Sequence, residues 1–146
     1  MLLKEVMTVP VMLVEDDEVD IQNLKRAFNK LHIAQRLYIA KDGNEAMDKL
    51  LGRSNQIKLN PLPKIILLDI NLPKINGLEF LEELRNSPEF NSILVYILTT
   101  SNHEKDKLAA YRCHIAGYIL KPMELTQYMN TINLLTQYWD LLEFPK

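Results

Sequence analysis

Four residue groups in this 146-residue chain have types and spacing that could do chemistry together: Glu15-Asp16, Asp69, Thr99 and Lys121. Each ends an apolar run. Val11-Met12-Leu13-Val14 runs into Glu15-Asp16, Lys64 through Leu68 into Asp69, Ile93 through Leu98 into Thr99, and Tyr118-Ile119-Leu120 into Lys121. Short apolar runs rich in β-branched residues read as strands buried on both faces, and open α/β sheets gather ligand chemistry at the carboxyl ends of such strands. Three carboxylates at one rim repel one another and need neutralising. A hard cation such as Mg²⁺ suits them, since it takes one or two carboxylates and completes its shell with water and phosphate oxygens. Glu15, Asp16 and Asp69 are the candidate ligands, with the backbone carbonyl of Asn71 as a further donor. Lys121 adds a positive charge and Thr99 a hydroxyl, a set that fits a phosphoryl group carried on a carboxylate.

Singly, each residue has a plainer explanation. Glu15-Asp16 could cap a helix, Thr99 could cap a strand, and Lys121 could be a solvated charge. Asp69 resists this, because an unpaired charge closing an apolar strand is costly. Asp17, Glu18 and Asp20 are explained as first-turn charges that complement the helix dipole.

The elements that must position these groups alternate regularly. A helix with Ile21, Leu24, Phe28 and Leu31 inward follows the first strand. Leu37 to Ala40 forms a second strand, with a turn at Asp42-Gly43 and a helix over about Asn44 to Leu51. Gly52 to Pro63 is a polar connection. Leu78 to Arg85 is the third helix, ended by Asn86-Ser87-Pro88. The fourth, about Glu104 to Cys113, turns Leu108 and Ala109 inward. A long last helix begins after Lys121-Pro122. Five β-α alternations predict a doubly wound α/β fold, with a parallel five-stranded sheet and helices on both faces. The whole chain, 1–146, reads as one domain with an arm at 1–9 and an extended final helix at about 123–142.

Composition narrows the function. A net charge of −2 gives no electrostatic case for nucleic acid, and no apolar run approaches a membrane span. The lone cysteine, Cys113, rules out an internal disulfide and fits a cytoplasmic protein; it reads as a small buried hydrophobe. In the final helix, Leu125, Tyr128, Ile132, Leu135, Trp139 and Leu142 form one packing seam. Leu134, Tyr138 and Leu141 lie about 100° round from it, with Met129 widening the arc on the other side. So broad an apolar face predicts a two-fold homodimer through this helix.

From Val11 to about Trp139 the chain resembles the response-regulator receiver domains of two-component signalling. The resemblance rests on Leu13-Val14-Glu15-Asp16, on Leu67-Leu68-Asp69-Ile70-Asn71-Leu72-Pro73 with Asn76-Gly77, on Leu98-Thr99-Thr100, and on Gly117-Tyr118-Ile119-Leu120-Lys121-Pro122. It implies a flavodoxin-like sheet of order 2-1-3-4-5. It implies that Asp69 accepts a phosphoryl group from a histidine kinase, that Glu15, Asp16, Asp69 and the Asn71 carbonyl hold Mg²⁺, and that Lys121 pairs with the phosphoryl group. Thr99 and Tyr118 would form the switch, and Lys121-Pro122 would be cis. Within the family the chain is most similar to regulators associated with cyanobacterial phytochromes, on the Gly52 to Pro63 loop, Leu98-Thr99-Thr100-Ser101 and the aromatic tail from Tyr138. It departs from the usual pattern at Cys113-His114-Ile115-Ala116 and at Leu94. Such a protein is a phosphoacceptor, catalysing only its own phosphorylation and dephosphorylation. The alternative is a Mg²⁺-dependent phosphohydrolase working through an aspartyl phosphate. That chemistry calls for a second acid two residues after the nucleophile, where this chain has Asn71.

Overall fold

The computed structural model describes residues 9–31, 36–73 and 75–145. The strands are β1 (Val11–Val14), β2 (Leu37–Ala40), β3 (Ile65–Leu68), β4 (Leu94–Thr99) and β5 (Gly117–Leu120). They pair in parallel in the order β2-β1-β3-β4-β5. Between and after them lie α1 (Glu18–Lys30), α2 (Gly43–Leu51), α3 (Gly77–Arg85), α4 (Glu104–Arg112) and α5 (Leu125–Trp139). The expected topology is borne out. The arm foreseen over residues 1–9 lies outside the described residues except for Val9, which is buried.

The three central strands carry unbroken apolar runs because the sheet is covered on both faces. Met12, Val14, Ile66, Leu68, Val95 and Ile97 point into one core with α2, α3 and Ala110 of α4. Val11, Leu13, Ile65, Leu67, Tyr96 and Leu98 alternate into the other, against α1 and α5. Trp139 anchors that second core, fully buried and tilted against Tyr96 with ring centroids 5.8 Å apart. Beyond α5 the tail returns to the body, with Leu142 and Phe144 packed on the same core and the Pro145 carbonyl accepting from Lys64 Nζ at 2.8 Å.

Register sets the height of the rim. Val14 pairs with Leu68, and Leu68 with Ile97. Glu15 and Asp69, each one residue further, therefore leave the sheet at the same level, and the Asp69 N–H donates to the Val14 carbonyl at 3.1 Å. Thr99 pairs with Leu120, so Lys121 follows one step beyond, its N–H on the Thr99 carbonyl at 2.8 Å. The loop after Asp69 is closed by Gly77, whose N–H donates to the Ile70 carbonyl at 2.9 Å. A Cβ at Gly77 would lie 2.3 Å from the Asp69 carbonyl oxygen.

Some local expectations need correction. Lys121–Pro122 is trans, and among the described residues the cis bond is Asn60–Pro61. Trans is the lower-energy form of an X-Pro bond, and in this structure it already aims Lys121 into the rim. In α4, Leu108 is exposed and Ala110 takes the inward position. Those two residues lie on opposite sides of a helix, and only the small one fits where α4 meets the sheet. Leu125 is exposed as well; it lies at the mouth of a groove of about 580 Å³ between α1 and α5, beside Met129 and Leu31. The final helix runs Leu125–Trp139 rather than 123–142; Asp140 is its C-cap, and the Leu141 N–H turns back to the Tyr138 carbonyl at 3.0 Å. The unusual loop Cys113 to Ala116 is held from outside. Arg85 donates to the carbonyls of Cys113 (2.8 Å), His114 (3.2 Å) and Ile93 (3.0 Å), while His114 adopts φ 58°.

Because Gly77 touches the backbone that carries Asp69, Gly77→Ala should act on the rim as well as on stability. We expect a loss of about 1–3 kcal/mol in urea unfolding, together with amide shifts at Asp69 and Asn71 in NMR spectra. An unchanged midpoint and unchanged shifts would show that this contact is not tight.

Candidate functional site

Lys121, at the end of β5, brings the rim together. Its ammonium donates to Glu15 Oε1 at 2.6 Å, Asp20 Oδ2 at 2.8 Å and Asp69 Oδ2 at 3.2 Å. The lysine side chain is only 8% exposed. The other Asp69 oxygen, Oδ1, accepts from the Thr99 hydroxyl at 2.7 Å and from the Asn71 N–H at 3.1 Å. Asp69, Glu15 and Thr99 are buried. Glu15 turns its second oxygen to the N–H groups of Asp16 and Asp17, at 3.1 and 3.2 Å.

Three carboxylates around one ammonium leave an excess of negative charge in a desolvated place. Burial pushes the Glu15 carboxyl up to about 7, against the opposing pull of Lys121 and with added repulsion from Asp69. Burial works to lower the Lys121 ammonium, but its bonds to Asp20 and Glu15 together outweigh that and hold it above its ordinary value. Tyr128 of α5 is buried beside the cluster; burial raises its phenol, and Asp20 raises it further.

Of the residues expected from sequence, Glu15, Asp69, Thr99, Lys121 and the Asn71 backbone converge. Asp16 stays at the lip, exposed, with its carboxylate free of hydrogen bonds and ion pairs among the described residues. Tyr118, half-buried, donates its hydroxyl to the Ser101 carbonyl at 2.8 Å. Ser101 N–H in turn donates to Thr99 Oγ1 at 3.3 Å, and Ser101 Oγ donates to Asp106 Oδ2 at 2.6 Å. Leu134 and Tyr138 of α5 are exposed, as is Leu141 just beyond the end of that helix. Asp17 is the N-cap of α1, accepting from Val19 and Asp20 N–H.

Sequence reasoning missed Asp20, which it assigned to the helix dipole. A signal was there: Asp20 stands four residues before Leu24 and eight before Phe28, on the helix's buried stripe. It also missed Ser101, which acts mainly through its backbone and leaves no side-chain signature for that.

The donor set is one of hard oxygens, with negative charge in excess of the single ammonium, and that suits a divalent cation. As it stands, no group of three His, Cys, Asp or Glu side chains among the described residues is spaced to hold a metal, and the Lys121 ammonium sits among the acids. A cation bound to Glu15 Oε1 would compete there with that ammonium.

A carboxylate, a hydroxyl and an ammonium meeting at the carboxyl rim of a 2-1-3-4-5 sheet define a receiver-type module. Comparison with known proteins agrees: the model of the response regulator receiver domain matches residues 11–133. The chain belongs to that family. It is 33% identical over 129 residues to the response regulator Rcp1 of Synechocystis, covering 88% of this chain and 87% of Rcp1. The crystal structure of Mn(2+)-bound Rcp1 matches with a TM-score of 0.82 at 31% identity, over 94% of this chain and 99% of that one. A two-component response regulator from Legionella pneumophila is 43% identical with a TM-score of 0.76, over 90% and 99%. The phosphorylated cyanobacterial phytochrome response regulator RcpA gives 0.83 at 30% identity, over 95% and 99%. The protein is a response regulator of the kind to which Rcp1 and RcpA belong.

The raised Glu15 carboxyl has a measurable sign. Between about pH 4.5 and 7 the folded chain keeps a proton that the unfolded chain has released. Its contribution is therefore full at the acid end and lost as pH rises through 7. In chelator, Glu15→Gln should gain on the wild type across this window, by on the order of 2 kcal/mol at pH 8, read as Tm against pH. Parallel curves for the two proteins would contradict the assignment.

Proposed function

We propose that Asp69 is the phosphoacceptor of this regulator and that a histidine kinase, of the phytochrome type in view of RcpA, is its donor. The carrying observation is that Asp69 is buried at the end of β3, with one oxygen held by Thr99 and Asn71 and the other on Lys121. In the transfer, phosphorus leaves the donor's imidazole nitrogen and bonds to an Asp69 oxygen. The P–N bond breaks as the P–O bond forms, and the nitrogen keeps the electron pair. The protein's share is positioning and charge neutralisation. Glu15, Asp16, Asp69 and the Asn71 carbonyl would hold Mg²⁺. When bound, the cation neutralises excess charge and draws a phosphoryl oxygen to the rim. Lys121 would pair with the phosphoryl group, and Thr99 would pass its hydrogen bond from Asp69 Oδ1 to a phosphoryl oxygen. The bonded series Thr99, Ser101, Tyr118 supports reading Thr99 and Tyr118 as the switch. Asn71 supports a phosphoacceptor over a phosphohydrolase, since a carboxamide cannot protonate a leaving group.

Incubation with Mg²⁺ and acetyl phosphate, read by intact mass, should add one phosphoryl group to the wild type and none to Asp69→Asn. Labelling that persists in the variant would refute the assignment.

The second part of the reading is a homodimer through α5. Leu134 and Tyr138 are 67% and 51% exposed on that helix and Leu141, just past its C-cap, is 78% exposed, and exposed apolar groups gathered near one helix end favour a self-complementary contact. Each such side chain contributes about 1.5–3 kcal/mol when buried. The double substitution Tyr138→Glu, Leu141→Glu should give a folded monomer in sedimentation experiments where the wild type is a dimer. A monomeric wild type at tens of micromolar, phosphorylated or not, would remove this part of the reading.

A further inference from the structure

The Lys121 ammonium has three protons and three carboxylate partners, and one partner belongs to no strand end. Asp20 sits in the first turn of α1 and takes a 2.8 Å bond from Lys121, shorter than the 3.2 Å bond to Asp69. Helix-dipole duties are already discharged by its neighbours. Asp17 caps the helix, and Glu18 accepts from Gln22 and pairs with Lys41. We infer that Asp20 is the positioning residue for Lys121, the seat that keeps the ammonium at the rim when Glu15 and Asp69 turn to a cation and a phosphoryl group. This inference rests on the phosphoacceptor reading of Asp69 above.

The geometry requires such a seat. The lysine side chain is 8% exposed, so its ammonium cannot exchange a carboxylate for bulk water without leaving the rim. Releasing Glu15 with no other partner would strand a buried charge, which is costly. Asp20, on α1 with a side chain 25% exposed, is none of the proposed metal ligands, so it can keep its bond to the ammonium when Glu15 turns away. Tyr128 of α5 is buried beside the pair. Asp20 thus lowers the cost of freeing Glu15 for the cation, and it holds Lys121 short of close pairing with the Asp69 nucleophile.

The test is a double-mutant cycle on the full chain: wild type, Asp20→Asn, Lys121→Met and the double variant. Mg²⁺ alone is titrated by calorimetry, and phosphorylation by acetyl phosphate is timed by intact mass. Asp20→Asn should weaken Mg²⁺ binding about tenfold and slow phosphorylation by a similar factor. In the Lys121→Met background the same change should alter Mg²⁺ binding less than about threefold, the residue of simple charge loss. Asp20→Glu should recover most of both losses, which separates positioning from a folding defect. Equal losses in both backgrounds, or no loss in Asp20→Asn, overturn the inference while leaving Asp69 as phosphoacceptor. A wild type that neither binds Mg²⁺ nor gains a phosphoryl group overturns both.

Discussion

One buried ammonium facing three carboxylates is the interaction on which this structure turns. Lys121 cannot satisfy Glu15, Asp20 and Asp69 equally, and the bond lengths rank them: 2.6, 2.8 and 3.2 Å. The loosest partner is the carboxylate proposed as the phosphoacceptor. A carboxylate gripped closely by an ammonium is a poor nucleophile, while one with no cation nearby would be hard to bury ionised. The imbalance leaves Asp69 between those limits. It also leaves room at Glu15 for added positive charge, and a rim already short of cations attracts one at little structural cost.

The rest of the fold serves to hold that rim still. Parallel register brings Glu15 and Asp69 out of the sheet at one height, and Lys121 reaches them from two and three strands away because Thr99 and Leu120 are paired one step higher. The floor beneath is rigid. Val14, Leu68, Ile66 and Ile97 are entirely buried, and Gly77 lets α3 start against the Asp69 backbone, where no side chain would fit. Chemistry that depends on tenths of an ångström is thereby carried on strand ends, which move little, rather than on free loops.

How much of this could be read from the chain follows from where each signal comes from. Apolar runs and their terminal residues are local facts, so the strands, their order of appearance and the Glu15, Asp69, Thr99 and Lys121 set were legible. Strand bounds were good to a residue, and β1 and β2 matched in full. Asp20 was misjudged because an acid in a first helical turn has a sufficient local explanation, and only the helix's buried stripe argues otherwise. Leu108 was misjudged and Ala110 overlooked because α4 buries a single residue and so has almost no apolar period to read. The isomer at Lys121–Pro122 depends on long-range fit. The Ser101 contacts run largely through the backbone and are independent of side-chain type. Exposure of Leu134 and Tyr138 was foreseen because it depends on helical geometry, while Leu141, exposed too, lies past the end of the helix.

That weak period in α4 bears on function. A helix that contributes Ala110 alone to the core has little hydrophobic free energy holding it, so polar bonds at its start carry a larger share. Those bonds run from Ser101 to Asp106 and from Tyr118 to the Ser101 carbonyl, and Ser101 is tied in turn to the hydroxyl that touches Asp69. α1, by contrast, buries Ile21, Leu24, Ala27 and Phe28 and will not shift for a change of one charge. A new charge at Asp69 therefore meets a stiff wall on the α1 side and a lightly held helix on the α4 side. Displacement follows the smaller restoring force, so the response should run through Thr99 and Ser101 toward α4 and Tyr118, with Asp20 and Lys121 as the fixed end of the lever.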